Sequence, residues 1–414
     1  MPNVLLNALA STAGGGITYL KNVLPRLTGI DKINRYFAIV PPEHLGNYQR
    51  YSNERLCIET APVNSGLLKR LFWEQSGIHN YIKSRKIDVL ISLGNFALLT
   101  SPVPQILFSR NPLYFSDYFE RDLKSRRLYA LLIGNRIRSL LARYSIKSVE
   151  INVAPTKAFA DCIRASDGLK ERRFEVLHFG FDETSFSADE KPLGEEQLAK
   201  LNLSANCYRI LYLSHYNYFR NFETLIRALP SIKEQIRNKE GKEVRLVFTT
   251  ELRRGARYGG YDSTSAALLI DRLGLRDDIA MLGSVPYDRL HHLYRLCDIS
   301  VCPSYAESFG HPLLEAMGMG LPVVSADLAV HREVCGDAAL YFDVFDEHSL
   351  ATQCTRILTD HRLRNELKDR GMARHRLFSW DEHVRSLATL IDRCLMRRKR
   401  DYEIDENNEI NEIV

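Results

Sequence analysis

Ile299-Ser300-Val301-Cys302-Pro303-Ser304-Tyr305-Ala306-Glu307-Ser308-Phe309-Gly310-His311-Pro312-Leu313-Leu314-Glu315-Ala316-Met317 reads as a short strand, Ile299–Cys302, a loop, and a helix from about Leu313. Glu307 falls in the loop and Glu315 in the helix. The backbone N–H groups at a helix start, together with the positive end of its dipole, suit a diphosphate. A carboxylate only accepts hydrogen bonds, which suits vicinal hydroxyls. The same residues also suit a surface cap at Glu307 and a solvated helix position at Glu315, and composition leaves both readings open.

Outward from this stretch the same unit repeats. β-rich apolar runs at Val4–Leu9, Tyr36–Val40, Asp88–Leu93, Gln105–Ser109 and Val149–Ala154 alternate with helical patterns. After a turn-rich passage, Phe179–Pro192, the pattern restarts with strands at Arg209–Ser214, Glu243–Thr249, Ile279–Leu282, Ile299–Cys302 and Pro322–Ser325. Such alternation predicts parallel, helix-covered sheets. The chain has 414 residues, enough for two α/β domains. The expected division is 1–180 and 181–383, with a C-terminal helix over 384–400 packing back on the first domain and a poorly ordered tail over 401–414.

Composition narrows the class. With 45% hydrophobic and 26% charged residues, whole-chain disorder is excluded. A net charge of +5 suits an acidic substrate or an anionic lipid and is too small to argue for nucleic acid. The eight cysteines form no CxxC pair, so free thiols in a cytoplasmic protein are expected. No N-terminal charged region marks a signal peptide, and no apolar run approaches a membrane span. No HExxH or zinc spacing occurs; His291-His292 sits on a helix and Asp277-Asp278 reads as a turn, so no metal and no cofactor are expected.

Two further features stand out. Gly14-Gly15-Gly16 follows the first strand and precedes a helix, where glycines permit positive φ and close ligand approach; the pattern is neither GxGxxG nor a P-loop, and a tight turn explains it equally well. The stretch 121–147 carries eight Lys and Arg against a single acid, Asp122, with leucines interleaved. It reads as a basic amphipathic helix, suited either to an anionic membrane or to packing on a sheet with arginines in water.

The opening stretch resembles the E-x7-E motif of retaining GT-B glycosyltransferases of family four. Cys302-Pro303-Ser304, Gly318-Met319-Gly320-Leu321-Pro322-Val323-Val324 and Arg332-Glu333-Val334-Cys335-Gly336-Asp337-Ala338-Ala339 resemble the neighbouring family words. Val176–Asp182 is similar to the interdomain segment, with Phe179 where the family has asparagine. Leu282-Gly283-Ser284-Val285, Leu293-Tyr294, Phe378-Ser379-Trp380 and, more loosely, Phe72-Trp73-Glu74-Gln75 extend the match.

The resemblance implies two Rossmann-like domains facing each other across a cleft, the first for the acceptor and the second for a nucleotide-sugar. It implies metal-independent transfer of a hexosyl group, with retention, from a UDP- or GDP-sugar to a saccharide or lipid-linked saccharide in surface polysaccharide or glycolipid assembly. Carried over, Glu307 would meet the donor sugar and Glu315 the ribose. Backbone groups of Phe309, Gly310, His311, Pro312, Leu313 and Leu314 would face the sugar and diphosphate, Gly14, Gly15 and Gly16 would approach from the other domain, and Ser284 and Val285 would lie near the base. Arg220 stands where the family has a diphosphate-binding Lys. His215 stands in place of its Arg and is expected to bind phosphate. Arg110 and Asn111 stand where an acceptor-side His is common. An epimerase of the same architecture and a non-catalytic nucleotide-sugar-binding subunit remain as alternatives; a dehydrogenase is disfavoured by the glycine pattern.

Overall fold

A computed structural model describes residues 1–12, 14–62, 67–183, 186 and 192–413. Part of the turn-rich passage, residues 184–185 and 187–191, therefore lies outside the described residues. The chain divides into two units: Met1–Phe115, Gly134–Gly180 and Ser379–Val414 form unit 1, and Ser116–Ile133 with Phe181–Phe378 form unit 2.

Unit 1 is built on seven parallel strands: β1 (Asn3–Asn7), β2 (Arg35–Val40), β3 (Leu56–Thr60), β4 (Val89–Ser92), β5 (Gln105–Phe108), β6 (Ile151–Ala154) and β7 (Phe174–Val176). Their order is 3-2-1-4-5-6-7. Unit 2 has a six-stranded sheet of β8 (Cys207–Tyr212), β9 (Glu243–Phe248), β10 (Ile279–Met281), β11 (Ile299–Cys302), β12 (Val323–Ala326) and β13 (Ala339–Phe342), in the order 10-9-8-11-12-13 and all parallel, beside a small antiparallel ribbon of Arg257–Tyr258 with Tyr261–Asp262. Counted from its own first strand, each sheet follows the dinucleotide-fold order 3-2-1-4-5-6, in which the direction of winding reverses beside the first strand. Central strands such as Val89–Ser92 and Ile299–Cys302 are buried throughout, as strands covered on both faces must be.

The helices that matter below are α1 (Gly15–Ile30), α2 (Asp117–Ser125), α3 (Tyr129–Lys147), α4 (Leu290–Leu296), α5 (His311–Gly318) and α6 (Trp380–Ile413). Three expectations need correction. The first domain is not continuous over 1–180, because residues 116–133 belong to unit 2. Arg126 is bonded to Asp122 and Glu223 at 2.8 and 2.9 Å, and the Tyr305 hydroxyl donates to Asp122 at 2.7 Å. The basic stretch 121–147 is not one helix, since Arg127 takes φ 58° and divides α2 from α3. The tail from Asp401 continues α6 to Ile413; no Gly or Pro after Gly371 interrupts it, and its Glu, Asn and Arg residues tolerate helix.

In unit 1, α6 joins α1 through an Arg26–Asp381 ion pair at 2.9 Å. An aromatic cluster closes around the end of β7. Phe179 stacks on Trp380 with centroids 5.7 Å apart, and Tyr19, Phe108 and His383 surround them. This packing gives Phe179 an apolar core role. No helix of the described residues is long and apolar enough to cross a membrane. All eight cysteines are free thiols.

Candidate functional site

In a parallel α/β sheet the crevice for ligands opens at the carboxyl ends of the strands, where the winding reverses. In unit 2 that point lies between β8 and β11, which pair directly through Ile299↔Ile210 and Ser300↔Leu211. The loop after β8 carries His215 and Arg220; the loop after β11 carries Ser304 and Glu307. Asn221, in the left-handed region at φ 55°, donates from Nδ2 to Pro303 O at 3.1 Å. Tyr305 N donates to Phe219 O at 3.0 Å. The two loops are thereby fastened to each other.

Within this frame Arg220 Nη1 donates to Glu307 Oε1 and, at 3.3 Å, to Ser304 Oγ. Both charged side chains are largely buried, at 15% and 10% exposure. Burial, the largest single influence, lowers the Arg220 pKa, but Glu307, Tyr212 and Cys302 together raise it by more, and the net shift is upward. Glu307 is thus a buried ion-pair partner and not a surface cap. His215 stands beside this pair on an exposed part of the loop. Desolvation by neighbouring atoms and repulsion from Arg220 lower its pKa, against a smaller opposing pull from Glu307. In the absence of an anion, His215 is therefore held toward its neutral form.

The helix α5 begins immediately after this loop. Gly310 occupies the position before it with φ 90° and ψ 59°, a conformation that favours glycine. Two of the six backbone positions expected to face a diphosphate are corrected here. Pro312 has no N–H, and the Leu313 N–H is committed to Gly310 O at 3.0 Å.

Glu315 belongs to a second cluster. It is buried, not solvated, and the Tyr294 hydroxyl on α4 donates to its Oε2 at 2.8 Å. Burial pushes its pKa up to about 7; hydrogen bonds from Tyr294 and Tyr287 offset part of the shift, and Asp182 adds to it. Ser284 and Val285 lie in the loop beyond β10, Ser284 exposed and Val285 half-buried, so they too stand at the carboxyl edge of the sheet.

Sequence reasoning missed His331. Its Nδ1 lies 2.8 Å from both Ala326 O and Ser325 Oγ. Because a carbonyl oxygen can only accept, Nδ1 carries the proton and Nε2 is a bare acceptor. Nε2 is buried without a hydrogen-bond partner among the described residues. A Cβ placed on Gly310 would lie 3.8 Å from His331 Cδ2, so this edge of the ring faces the turn before α5. The only sequence signal was a histidine inside the helical run after Leu328.

In unit 1 the winding reverses between β1 and β4, and the glycine loop follows β1. A Cβ on Gly16 would approach Ser11 Cα to 2.8 Å, and Gly14 takes φ 49°. Arg110, just beyond β5, reaches this loop: Nη2 donates to Gly15 O at 2.8 Å, and the guanidinium lies 4.8 Å from the Tyr19 ring centroid. Burial pulls its pKa down to about 10 against the opposing effect of Tyr19. Its contacts are thus a carbonyl and aromatic faces. The backbone N–H groups of Arg110 and Asn111 both donate to Asn95 Oδ1, at 2.6 and 2.8 Å. Glu74, also missed as a site candidate, is buried and accepts from Asn7 Nδ2 at 3.2 Å, with its pKa raised by burial. Among the described residues no group of His, Cys, Asp and Glu could hold a metal ion.

Residues 194–374 match the family model for glycosyl transferases group 1. The matched residues lie within unit 2. The sucrose-phosphate synthase of Spinacia oleracea is 30% identical over 159 residues, covering 36% of this chain and 15% of that protein. O-antigen chain mannosyltransferase B of Escherichia coli is 37% identical over 125 residues, 30% of this chain and 32% of that protein. The chain thus spans less than a third of the length of either relative. The solved sucrose-phosphate synthase of Thermosynechococcus elongatus superposes with a TM-score of 0.74 at 17% identity, over 96% of this chain and all of that one. HepE of Anabaena, solved in complex with UDP-glucose, gives 0.68 at 16% identity over 95% and 100%. The fold is GT-B, and the matched residues include Arg220, Glu307, Glu315 and His331.

Proposed function

We propose that the protein is a retaining, metal-independent glycosyltransferase of family four. It moves a hexosyl group from a UDP- or GDP-sugar to a saccharide or lipid-linked saccharide, in the cytoplasm, during surface polysaccharide or glycolipid assembly. The observation that carries this reading is the buried Arg220–Glu307 pair at the winding reversal of a group 1 domain. One member is fitted to a diphosphate and the other to sugar hydroxyls. The O-antigen mannosyltransferase relative and the UDP-glucose complex of a protein with this fold support the substrate class.

In the reaction the bond from the anomeric carbon to the β-phosphate oxygen breaks, and a bond to an acceptor hydroxyl oxygen forms on the same face. The hydroxyl proton passes to the departing phosphate. Negative charge grows on that phosphate, where Arg220 and a protonated His215 stabilise it. Glu315 accepts from the ribose.

The test is turnover of a panel of UDP- and GDP-sugars with saccharide acceptors, followed by NMR of the anomeric product. Donor consumption that requires an acceptor, retains configuration and survives EDTA supports the proposal. Loss of activity in EDTA overturns metal independence, and inverted product overturns retention. An isomerised donor without any acceptor indicates an epimerase. Binding without turnover indicates a donor-binding subunit.

A further inference from the structure

Helix α3 buries Ala142 and Ile146 yet also carries an apolar stripe on its solvent side. The face it buries is partly polar: Asn135 Nδ2 donates to Leu113 O at 2.9 Å, and Ser139 Oγ donates to Tyr114 O at 2.6 Å. The face it shows to solvent is apolar, with Ile137 at 54%, Leu140 at 65%, Leu141 at 41% and Tyr144 at 59% exposure. At 100° per residue these four side chains fall within about 100° of arc. Arg136, Arg143 and Lys147 fall within about 40° along one edge of that stripe. No Asp or Glu occurs between 134 and 147. Isolated exposed leucines are ordinary; a contiguous stripe beside a row of cations is not.

We propose that this face of α3 docks on an anionic phospholipid bilayer, lying in the interface with the apolar stripe among the acyl chains and the basic edge among the headgroups. Charge decides the occupant. An antiparallel two-fold pairing with a second copy would set each basic edge against its own counterpart, whereas a layer of anionic headgroups neutralises it. The surface is also narrower than the 121–147 stretch of the sequence. Asp122 and Arg126 are committed inside unit 2, and the docking face lies on α3, with the basic edge over 136–147.

The experiment is co-sedimentation of the full chain with vesicles of phosphatidylcholine alone, and of phosphatidylcholine containing phosphatidylglycerol, at low and high salt. The wild type is expected to bind the anionic vesicles, and less so in high salt. The double variant Ile137→Ser, Leu140→Ser should lose about ten-fold or more in partitioning, from the CH₂ groups it no longer buries. Because both positions are exposed, its melting temperature should match the wild type. Arg136→Gln with Lys147→Gln should weaken binding and flatten the salt dependence. Equal binding by wild type and the Ser variant overturns the proposal. So does an absence of binding to either vesicle, and so does a self-association of the wild type that the Ser variant dissolves.

Discussion

Arg220 donates to Glu307 while its Nε finds no hydrogen-bond partner among the described residues. The pair is compensated yet incompletely satisfied. An incoming diphosphate would give the guanidinium a second anion and release the Glu307 carboxylate for hydroxyls. Removing one partner of a buried pair strands the other. Arg220→Ala is therefore expected to lose roughly 3 kcal/mol of stability and to abolish stabilisation by UDP or GDP. Glu307→Gln removes the carboxylate but keeps an acceptor, so nucleoside diphosphate binding should survive while sugar transfer falls. Thermal shift with each diphosphate, beside a turnover assay, separates the two. Equal loss of diphosphate binding in both variants would contradict the division of labour.

Glu315 gives a pH dependence with a definite sign. Ribose hydroxyls bond best to an ionised carboxylate, and burial places this pKa at about 7. Affinity for uridine or guanosine, which carry no titrating phosphate, should rise with pH and level off above 7. Below 7 it should fall about ten-fold per pH unit. Stability runs the other way. A raised native pKa helps fully below the unfolded value and is lost as pH rises through the native one, so Glu315→Gln should gain stability over wild type above pH 7. Calorimetry from pH 5.5 to 8.5 on both proteins checks this, and a pH-dependent affinity in the Gln variant would rule Glu315 out as the cause.

His383 sets an acid limit on unit 1. Its Nδ1 donates to His178 O at 2.9 Å and its Nε2 accepts from the Tyr19 hydroxyl at 3.1 Å. The ring is neutral, and burial pulls its pKa down to about 4. A depressed native pKa contributes stability above the unfolded value, near 6.5, and loses it as pH falls toward 4. On the order of 3 kcal/mol is at stake over that window. Both tryptophans, Trp73 and Trp380, lie in unit 1, so urea unfolding followed by tryptophan fluorescence reports this unit. Between pH 7.5 and 5 the wild type should weaken, and His383→Gln should start weaker and change less.

Much of this was legible before the structure. The strand–loop–helix reading of Ile299–Met317 follows from local pattern, because a βα turn writes its period into consecutive residues. The ion pair itself was not legible, since residues 87 positions apart meet only through sheet order. The short strand Ala339–Phe342 was missed because four residues carry little periodicity. The break at Arg127 was hidden because a non-glycine residue there takes φ 58°, for which its sequence offers no sign. His331 and Glu74 were missed because a buried polar group is identified by its surroundings and not by its neighbours in sequence. The sequence of 121–147 left a membrane face and a helix with its arginines in water equally open, because composition does not say which side packs; the side left exposed is Ile137, Leu140, Leu141 and Tyr144.

Two glycines test how tightly the packing of unit 1 is specified. Gly180 closes the β7 end of the aromatic cluster, and a Cβ there would lie 2.2 Å from Trp380 N and 2.7 Å from Ser379 C. Both are backbone atoms, so relief requires moving the start of α6 and with it the Phe179–Trp380 stack. Gly180→Ala is expected to cost roughly 3 kcal/mol, at the upper end of the usual cost of core overpacking. Gly29, in the last turn of α1, meets nothing within 4 Å of an added Cβ. There alanine restricts the unfolded chain and favours helix, so Gly29→Ala should gain about 0.5 kcal/mol. Tryptophan-detected melting of the two variants should move in opposite directions, and a Gly180→Ala protein that melts with the wild type would show that the contact between β7 and α6 yields at little cost.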